Sequence, residues 1–207
     1  MTFDPNELEA SAIYKLLTGT IIPRPIGWIS SISEDGINNL APFSYFNMLG
    51  DDPPHVMFST RRDNNKNKDT LNNVLTTKQF VVNMVTEDVV EQMNTTSQSI
   101  PPDESEFDLA RLEQAASSQV KVPRVALAPL ALECRLAKLQ PYPPENPSCE
   151  VIFAEVLAIY INPSLLDANG MPDPHKMDLI SRIGGSGYSR VAADIFQLAR
   201  PASAVRR

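Results

Sequence analysis

Histidine is nearly missing from this 207-residue chain, which has two, His55 and His175. They stand far apart, and neither has a cysteine or carboxylate pair at metal-ligand spacing, so no zinc site is legible. Cysteine is as scarce, at two. Cys134 and Cys149 cannot build a disulfide framework and read as free thiols. Glycine numbers 8. No G-x-x-x-x-G-K-[ST] phosphate loop occurs, and no clear strand leads into Gly184-Gly185-Ser186-Gly187 in the manner of a dinucleotide fingerprint. A G-x-S-x-G nucleophile elbow is lacking too. No run approaches the roughly 20 apolar residues of a membrane helix. The N-terminus carries Asp4, Glu7 and Glu9 rather than a basic segment followed by an apolar one, so no signal peptide is read and a cytoplasmic location is expected. Basic excess is also absent: 18 Lys and Arg face 25 Asp and Glu, a net charge of −7. Such a field attracts neither nucleic acid nor an anionic membrane, although a few basic groups in a cleft can still make a local anion site.

What remains is an ordinary globular composition, 43% hydrophobic and 21% charged, enough for a sizeable core. No linker separates two cores, so one domain is expected over residues 1–207, with its core at about 19–201. The 18 prolines cluster at Pro23 and Pro25, Pro53 and Pro54, Pro101 and Pro102, and 141–147, where they mark strand ends and connections. Apolar spacing predicts a short helix over Asn6–Leu17. A strand over Ile26–Ile32 meets a hairpin turn at Glu34-Asp35-Gly36 and returns over Ile37–Phe46. Further strands are predicted from His55 to Thr60, over Gln79–Val85, Leu130–Leu139 and Glu150–Ile161. Helices are predicted from Asp69 or Thr70 to Thr77 and over Thr86–Ser97. Ser189–Leu198 reads as a last helix or strand. Many short strands with few helices favour a mainly β fold, a barrel rather than a doubly wound sheet.

Three segments are over-specified for structure alone. In "NNLAPFSYFN", Ala41 and Pro42 keep one wall low while the backbone near Phe43 and Ser44 offers hydrogen-bonding groups, as a slot for a flat heteroaromatic ring requires; a barrel strand with core aromatics is the other account. In Ser59–Thr70, the cations Arg61, Arg62, Lys66 and Lys68 gather before a helix start, where N–H groups and dipole favour an anion and Thr70 has a hydroxyl to donate. A solvated loop before an ordinary helix is the alternative there. The third segment is Met177–Tyr188.

In order and spacing, "TGTIIPRPIGWISSISEDGINNLAPFSYFN", "DDPPHVMFSTRRDNNKNKDTLNNVLTTKQFVVNMV" and "MDLISRIGGSGY" closely resemble the flavin reductase-like, FMN-binding split-barrel family. The resemblance covers about Gly19–Val85 and, more loosely, Leu130–Pro201. It implies a Greek-key split β-barrel that forms a homodimer and holds one non-covalent FMN per subunit near the dimer interface. By that similarity the segment at Ser30 and Ser31, the strand from Asn39 to Ser44 and the loop from Ser59 to Thr70 surround the flavin, with Ala41, Phe43 and Ser44 lining the ring and ribityl chain. Ser59, Arg61, Lys68, Asp69 and Thr70 serve the ribityl and phosphate end. Arg24 and Trp28 are second-tier candidates. Arg182, Gly185 and Tyr188 approach from the late segment, in the same chain or from a partner subunit.

The implied activity is FMN-dependent oxidoreduction, in which a flavin reductase takes hydride from NADH or NADPH and passes electrons to a small-molecule acceptor. Many such reductases carry Gly-Asp-His in a late strand, where this chain reads "SCEVIFAEVLAIYI", with Ile152 and Phe153 and no histidine. An FMN-binding electron carrier that does not oxidise NAD(P)H is therefore the alternative, and a barrel that has lost its cofactor is a third. Glu150 and Glu155 then read as ordinary strand residues, and Cys149 as either a plain or a redox-active thiol.

Overall fold

In the computed structural model, which describes residues 1–61, 67–199 and 201, one antiparallel sheet dominates. Its strands are β2 (Gly27–Ile32), β3 (Asn38–Phe43), β4 (Phe46–Asp51), β5 (Pro54–Arg61), β6 (Gln79–Met84), β9 (Leu130–Tyr142) and β10 (Cys149–Ile161). The strand order is β3-β2-β6-β9-β10-β5-β4. β1 (Arg24–Pro25), β11 (Ile180–Arg182) and β12 (Tyr188–Arg190) make a small second sheet, and β7 (Gln114–Ala115) pairs with β8 (Arg124–Val125). The helices are α1 (Ala10–Thr20), α2 (Asp69–Thr77), α3 (Val90–Thr95), α4 (Glu106–Leu109) and α5 (Pro174–Met177).

The two sheet edges, β3 and β4, are consecutive in the chain, joined by Ser44 and Tyr45. Coiling of the sheet, the usual result of strand twist, brings them round to each other and gives the split barrel expected from the sequence. The Ser59 N–H donates to the Tyr45 carbonyl at 2.9 Å, and the Phe43 and Phe58 rings meet at 5.0 Å. Gly27 makes this closure possible: a Cβ there would lie 2.9 Å from Phe46 Cγ.

Alternation along the strands builds two layers. On β6, Phe80 and Val82 face the barrel interior with Ile29, Phe43, Phe58 and Ile152, whereas Val81 faces an outer cluster with Val120, Val122 and Ala131. On β2, Ile29 is interior and Trp28 lies outside with Leu40, Met93 and Phe107. Both layers exclude water, so β2 is buried on both faces and the centre of β6 is a continuous apolar run, Phe80-Val81-Val82. Helix α2 closes part of the barrel by inserting Leu71 and Val74. It ends at Lys78 in the left-handed region, with φ of 61°.

The helix predicted over Asn6–Leu17 begins later, at Ala10, and runs to Thr20; Pro5–Glu7 is a 3-10 turn capped by the Asp4 side chain. The predicted return strand over Ile37–Phe46 is two strands, because the chain breaks at Ser44 and Tyr45 to leave one edge of the sheet and begin the other. The helical stretch at 86–97 is a 3-10 turn followed by the six-residue α3. The long hairpin reaches further than predicted, to Tyr142, with a register shift between Phe153 and Ala154 absorbing one residue. Gly36 takes φ of +86° in its hairpin turn, the conformation that glycine reaches without steric cost. In the last segment, Tyr188–Arg190 is a strand and Val191–Asp194 a 3-10 turn.

Candidate functional site

Strand β3 is the strand the sequence left over-specified, and its place in the sheet explains why. It pairs with β2 on one side only. The Leu40 N–H leaves the sheet to reach Glu106 Oε2 at 2.9 Å, so residues of the same parity point their backbone groups away from β2. Pro42 has that parity. Its missing N–H therefore costs no ladder hydrogen bond, which is why a proline is tolerated on this edge. Beyond the edge lies a cleft of about 620 Å³, a volume in the range of small-molecule and cofactor sites.

The cleft is lined on one side by Ala41, Pro42, Phe43 and Ser44. Ser59, Thr60 and Arg61 contribute from the end of β5, Asn67–Thr70 from the start of α2, and Thr96–Ile100 from the segment after α3. Of the residues expected around the cofactor, the structure gathers Asn39, Ala41, Phe43, Ser44, Ser59, Arg61, Lys68, Asp69 and Thr70 along this one cavity. Arg62 and Lys66 lie outside the described residues.

Ser30, Ser31 and Arg182 do not line the cleft of their own chain. Ser30 and Ser31 are neighbours on β2 and so face opposite sides of the sheet. Ser30 is fully buried and donates to the Pro123 carbonyl at 2.6 Å, in the outer layer. Ser31 faces inward and donates to Asn39 Oδ1 at 3.3 Å, beneath the cleft. Arg182 donates to the Gly185 and Gly187 carbonyls and stacks 4.5 Å from the Tyr188 ring, knitting its own turn together. The glycines there serve that turn: Gly184 packs on Gly19 so closely that a Cβ would lie 3.0 Å from its Cα, and Gly185 has φ of +61°. Arg24 is buried, and its guanidinium donates to the Thr18 and Ile21 carbonyls at 2.7 Å, closing the C-terminus of α1. Trp28 is fully buried in the outer layer and is linked to the cleft through Thr96.

Sequence reasoning missed Glu106, on α4, which supports the cleft floor. Its two oxygens accept from Asn39 Nδ2 at 2.8 Å each. Asn39 Oδ1 accepts in turn from the Thr70 hydroxyl at 2.7 Å and from Ser31, and Ser31 Oγ accepts from Asn73 Nδ2 at 3.1 Å. Burial pushes the Glu106 carboxyl up, against the pull of the Leu40 N–H and the Asn39 amide, and the negative charge of Asp69 adds to the rise. The Thr70 hydroxyl, expected to donate to an anion, is spent on Asn39. No local motif marks Glu106, because its partners are 66 and 67 residues away in sequence. Also missed were Tyr14 of α1, whose ring lies 5.6 Å beneath the Arg61 guanidinium at the cleft rim, and the 96–100 wall.

The chemistry of this donor set suits a flavin mononucleotide. Arg61, Lys68 and the N-terminus of α2 at Asp69 and Thr70 supply positive potential at one end, as a phosphate requires. The low wall of Ala41 and Pro42, with the backbone of an unpaired strand edge, suits the rim of a flat ring.

A family model described as a flavin reductase-like domain matches residues 18–174. Component B of nitrilotriacetate monooxygenase from Bacillus cereus superposes with a TM-score of 0.91 at 34% identity, covering 96% of this chain and 98% of that one. The 2-nitrobenzoate 2-nitroreductase of Pseudomonas fluorescens gives 0.88 at 31% identity, covering 99% and 100%. A protein of Aquifex aeolicus is 45% identical over 91% of this chain and 94% of its own length.

Proposed function

This chain belongs to the flavin reductase-like family, and from that premise we propose that it is an FMN-dependent oxidoreductase of the flavin reductase type. In this reading it takes electrons from NADH or NADPH and passes them to a small-molecule acceptor. One observation carries the reading: a single cleft joins the free edge of β3 to a cationic end made by Arg61, Lys68 and the start of α2.

Bound FMN supplies two-electron redox chemistry at its ring. The chain's own residues do the rest. Lys68 and Arg61 hold the phosphate together with backbone N–H groups. The β3 edge orients the ring through the backbone groups that point away from β2, among them the Pro42 carbonyl. The wall from Thr96 to Ile100 keeps water from one side of the cleft. No side chain is needed as a proton donor for hydride transfer.

Similarity to a monooxygenase component and to a nitroreductase supports oxidoreduction and leaves the acceptor open. The electron carrier is the second reading. It is favoured by the late strand Cys149–Ile161, which has no histidine of its own and in which Ile152 is fully buried opposite Phe58. A homodimer in the cytoplasm completes the proposal. Among the described residues no helix is long and apolar enough to cross a membrane.

Purified protein should be yellow and release FMN on denaturation, identified by mass spectrometry. Mixed anaerobically with NADH or NADPH, the reductase bleaches its flavin absorbance rapidly, and the carrier does not. Colourless protein that fails to bind added FMN would remove both readings.

A further inference from the structure

We propose that Glu106 is a positioning residue that makes Thr70 a hydrogen-bond acceptor only, so that this part of the cleft reads a ligand hydroxyl and not an anionic oxygen. The inference rests on the flavin reading above and deepens it.

Donor direction decides what Thr70 can offer the cleft. An ionised carboxylate only accepts hydrogen bonds. Both Glu106 oxygens face Asn39 Nδ2 at 2.8 Å, and one also takes the Leu40 N–H. The amide of Asn39 is thereby fixed with its NH2 toward Glu106 and its oxygen toward α2. That oxygen has two neighbours, the Thr70 hydroxyl at 2.7 Å and the Ser31 hydroxyl at 3.3 Å. Each must donate to it, and Ser31 is free to do so because it accepts from Asn73. A threonine hydroxyl has one proton. With that proton given to Asn39, Thr70 offers the cleft lone pairs alone.

A phosphate dianion, itself an acceptor, gains nothing from such an oxygen. A polyol hydroxyl, of the kind a ribityl chain carries, donates to it. In wild type the phosphate is left to Lys68, Arg61 and the helix N–H groups. Thr70, two residues from Lys68 at the same helix start, accepts from the sugar-alcohol hydroxyl next to the phosphate, where a freed Thr70 proton would turn to a phosphate oxygen instead. Glu106, Asn39, Thr70 and Ser31 are 5%, 8%, 2% and 0% exposed, so their hydrogen bonds to one another set the order, while Asn39, Thr70 and Glu106 still border the cleft.

Substituting Glu106→Gln reverses it instead. The new amide NH2 faces Asn39, which turns its oxygen toward position 106 and its NH2 toward Thr70. Thr70 then accepts from Asn39 and frees its own proton for the cleft.

The test is fluorescence titration of FMN and of riboflavin, at pH 8, into wild type, E106Q, T70V and the E106Q/T70V double variant. In wild type, T70V weakens FMN and riboflavin equally. E106Q raises the FMN-to-riboflavin affinity ratio by about tenfold, the effect of one added hydrogen bond to a charged group, and T70V in that background abolishes the gain. A merely structural role for Glu106 predicts equal weakening of both ligands in E106Q, which would overturn the proposal. A T70V chain that loses FMN but keeps riboflavin would also overturn it, whether or not E106Q folds. Wild-type protein that binds neither ligand would reject the flavin reading itself.

Discussion

Trp28 and Thr96, 68 residues apart, are joined by a 2.8 Å hydrogen bond from the indole N–H to the threonine oxygen. The indole is fully buried and Thr96 lines the cleft. One side chain in the outer layer thus anchors the wall of a site it never touches. The Thr96 hydroxyl passes its own proton to the Met93 carbonyl at 2.8 Å, which ties the wall to the end of α3.

Replacing Trp28 with phenylalanine removes that donor and part of the buried ring. The expected loss is about 2 kcal/mol of stability, a combination of one buried hydrogen bond and lost packing. Thermal unfolding should show a Tm lower by roughly 4–8 °C for a chain of this size. FMN affinity should fall with it, because the 96–100 wall is no longer held.

The cationic end can be separated from the rest of the cleft. Lys68→Ala and Arg61→Ala should each weaken FMN by about tenfold or more while changing riboflavin affinity little, since only FMN brings a phosphate. Isothermal titration at low and high salt checks this. The FMN affinity of wild type should also drop more with added salt than that of either variant.

Gly27→Ala should destabilise the barrel by about 1–3 kcal/mol, the usual cost of overpacking, because its methyl would meet the Phe46 ring root rather than a flexible tip. Chemical denaturation measures the loss. G27A combined with Phe46→Leu should recover part of it.

Glu133 gives a pH-dependent prediction. Burial alone would raise its carboxyl, but the N–H groups of Ser118 and Gln119 and the Ser118 hydroxyl together hold it below the usual carboxylate range. A folded pKa below the unfolded one means stability that is present above the unfolded value, ~4.3, and lost as pH falls through the folded value. Glu133→Gln should therefore cost about 1–3 kcal/mol at pH 7, with the gap to wild type closing below pH ~4. Glu106 has the opposite sign: its raised carboxyl favours the fold at lower pH, and that contribution is lost as pH rises through its folded value.

Much of this was legible in the sequence where the signal is local. The β2–β3 hairpin follows from its Ile- and Trp-bearing first arm and the Glu34-Asp35-Gly36 turn, and α2 from the capping start at Asp69 or Thr70. The pairing of β3 with the start of α2 came from resemblance and not from periodicity. Ser30 shows the limit of motif transfer: a hydroxyl one residue from Ser31 must face the other side of the strand, and only the register with β3 says which side is which. Glu106 was invisible because a glutamate in a polar stretch has the same local pattern whether solvated or buried. Its role arises from contacts closed over more than 60 residues.

The strand order has a consequence for synthesis. β5 pairs with β4 and β10, and β6 with β2 and β9, so the first 84 residues can make two patches of sheet that touch at Phe43–Phe58 and Tyr45–Ser59 but share no ladder. The β9–β10 hairpin supplies the ladder that joins them into one sheet. A nascent chain halted before residue 149 therefore leaves β5 with a bare edge, the kind of template that invites pairing with other chains. Arrested ribosomes should need chaperone cover until that hairpin emerges.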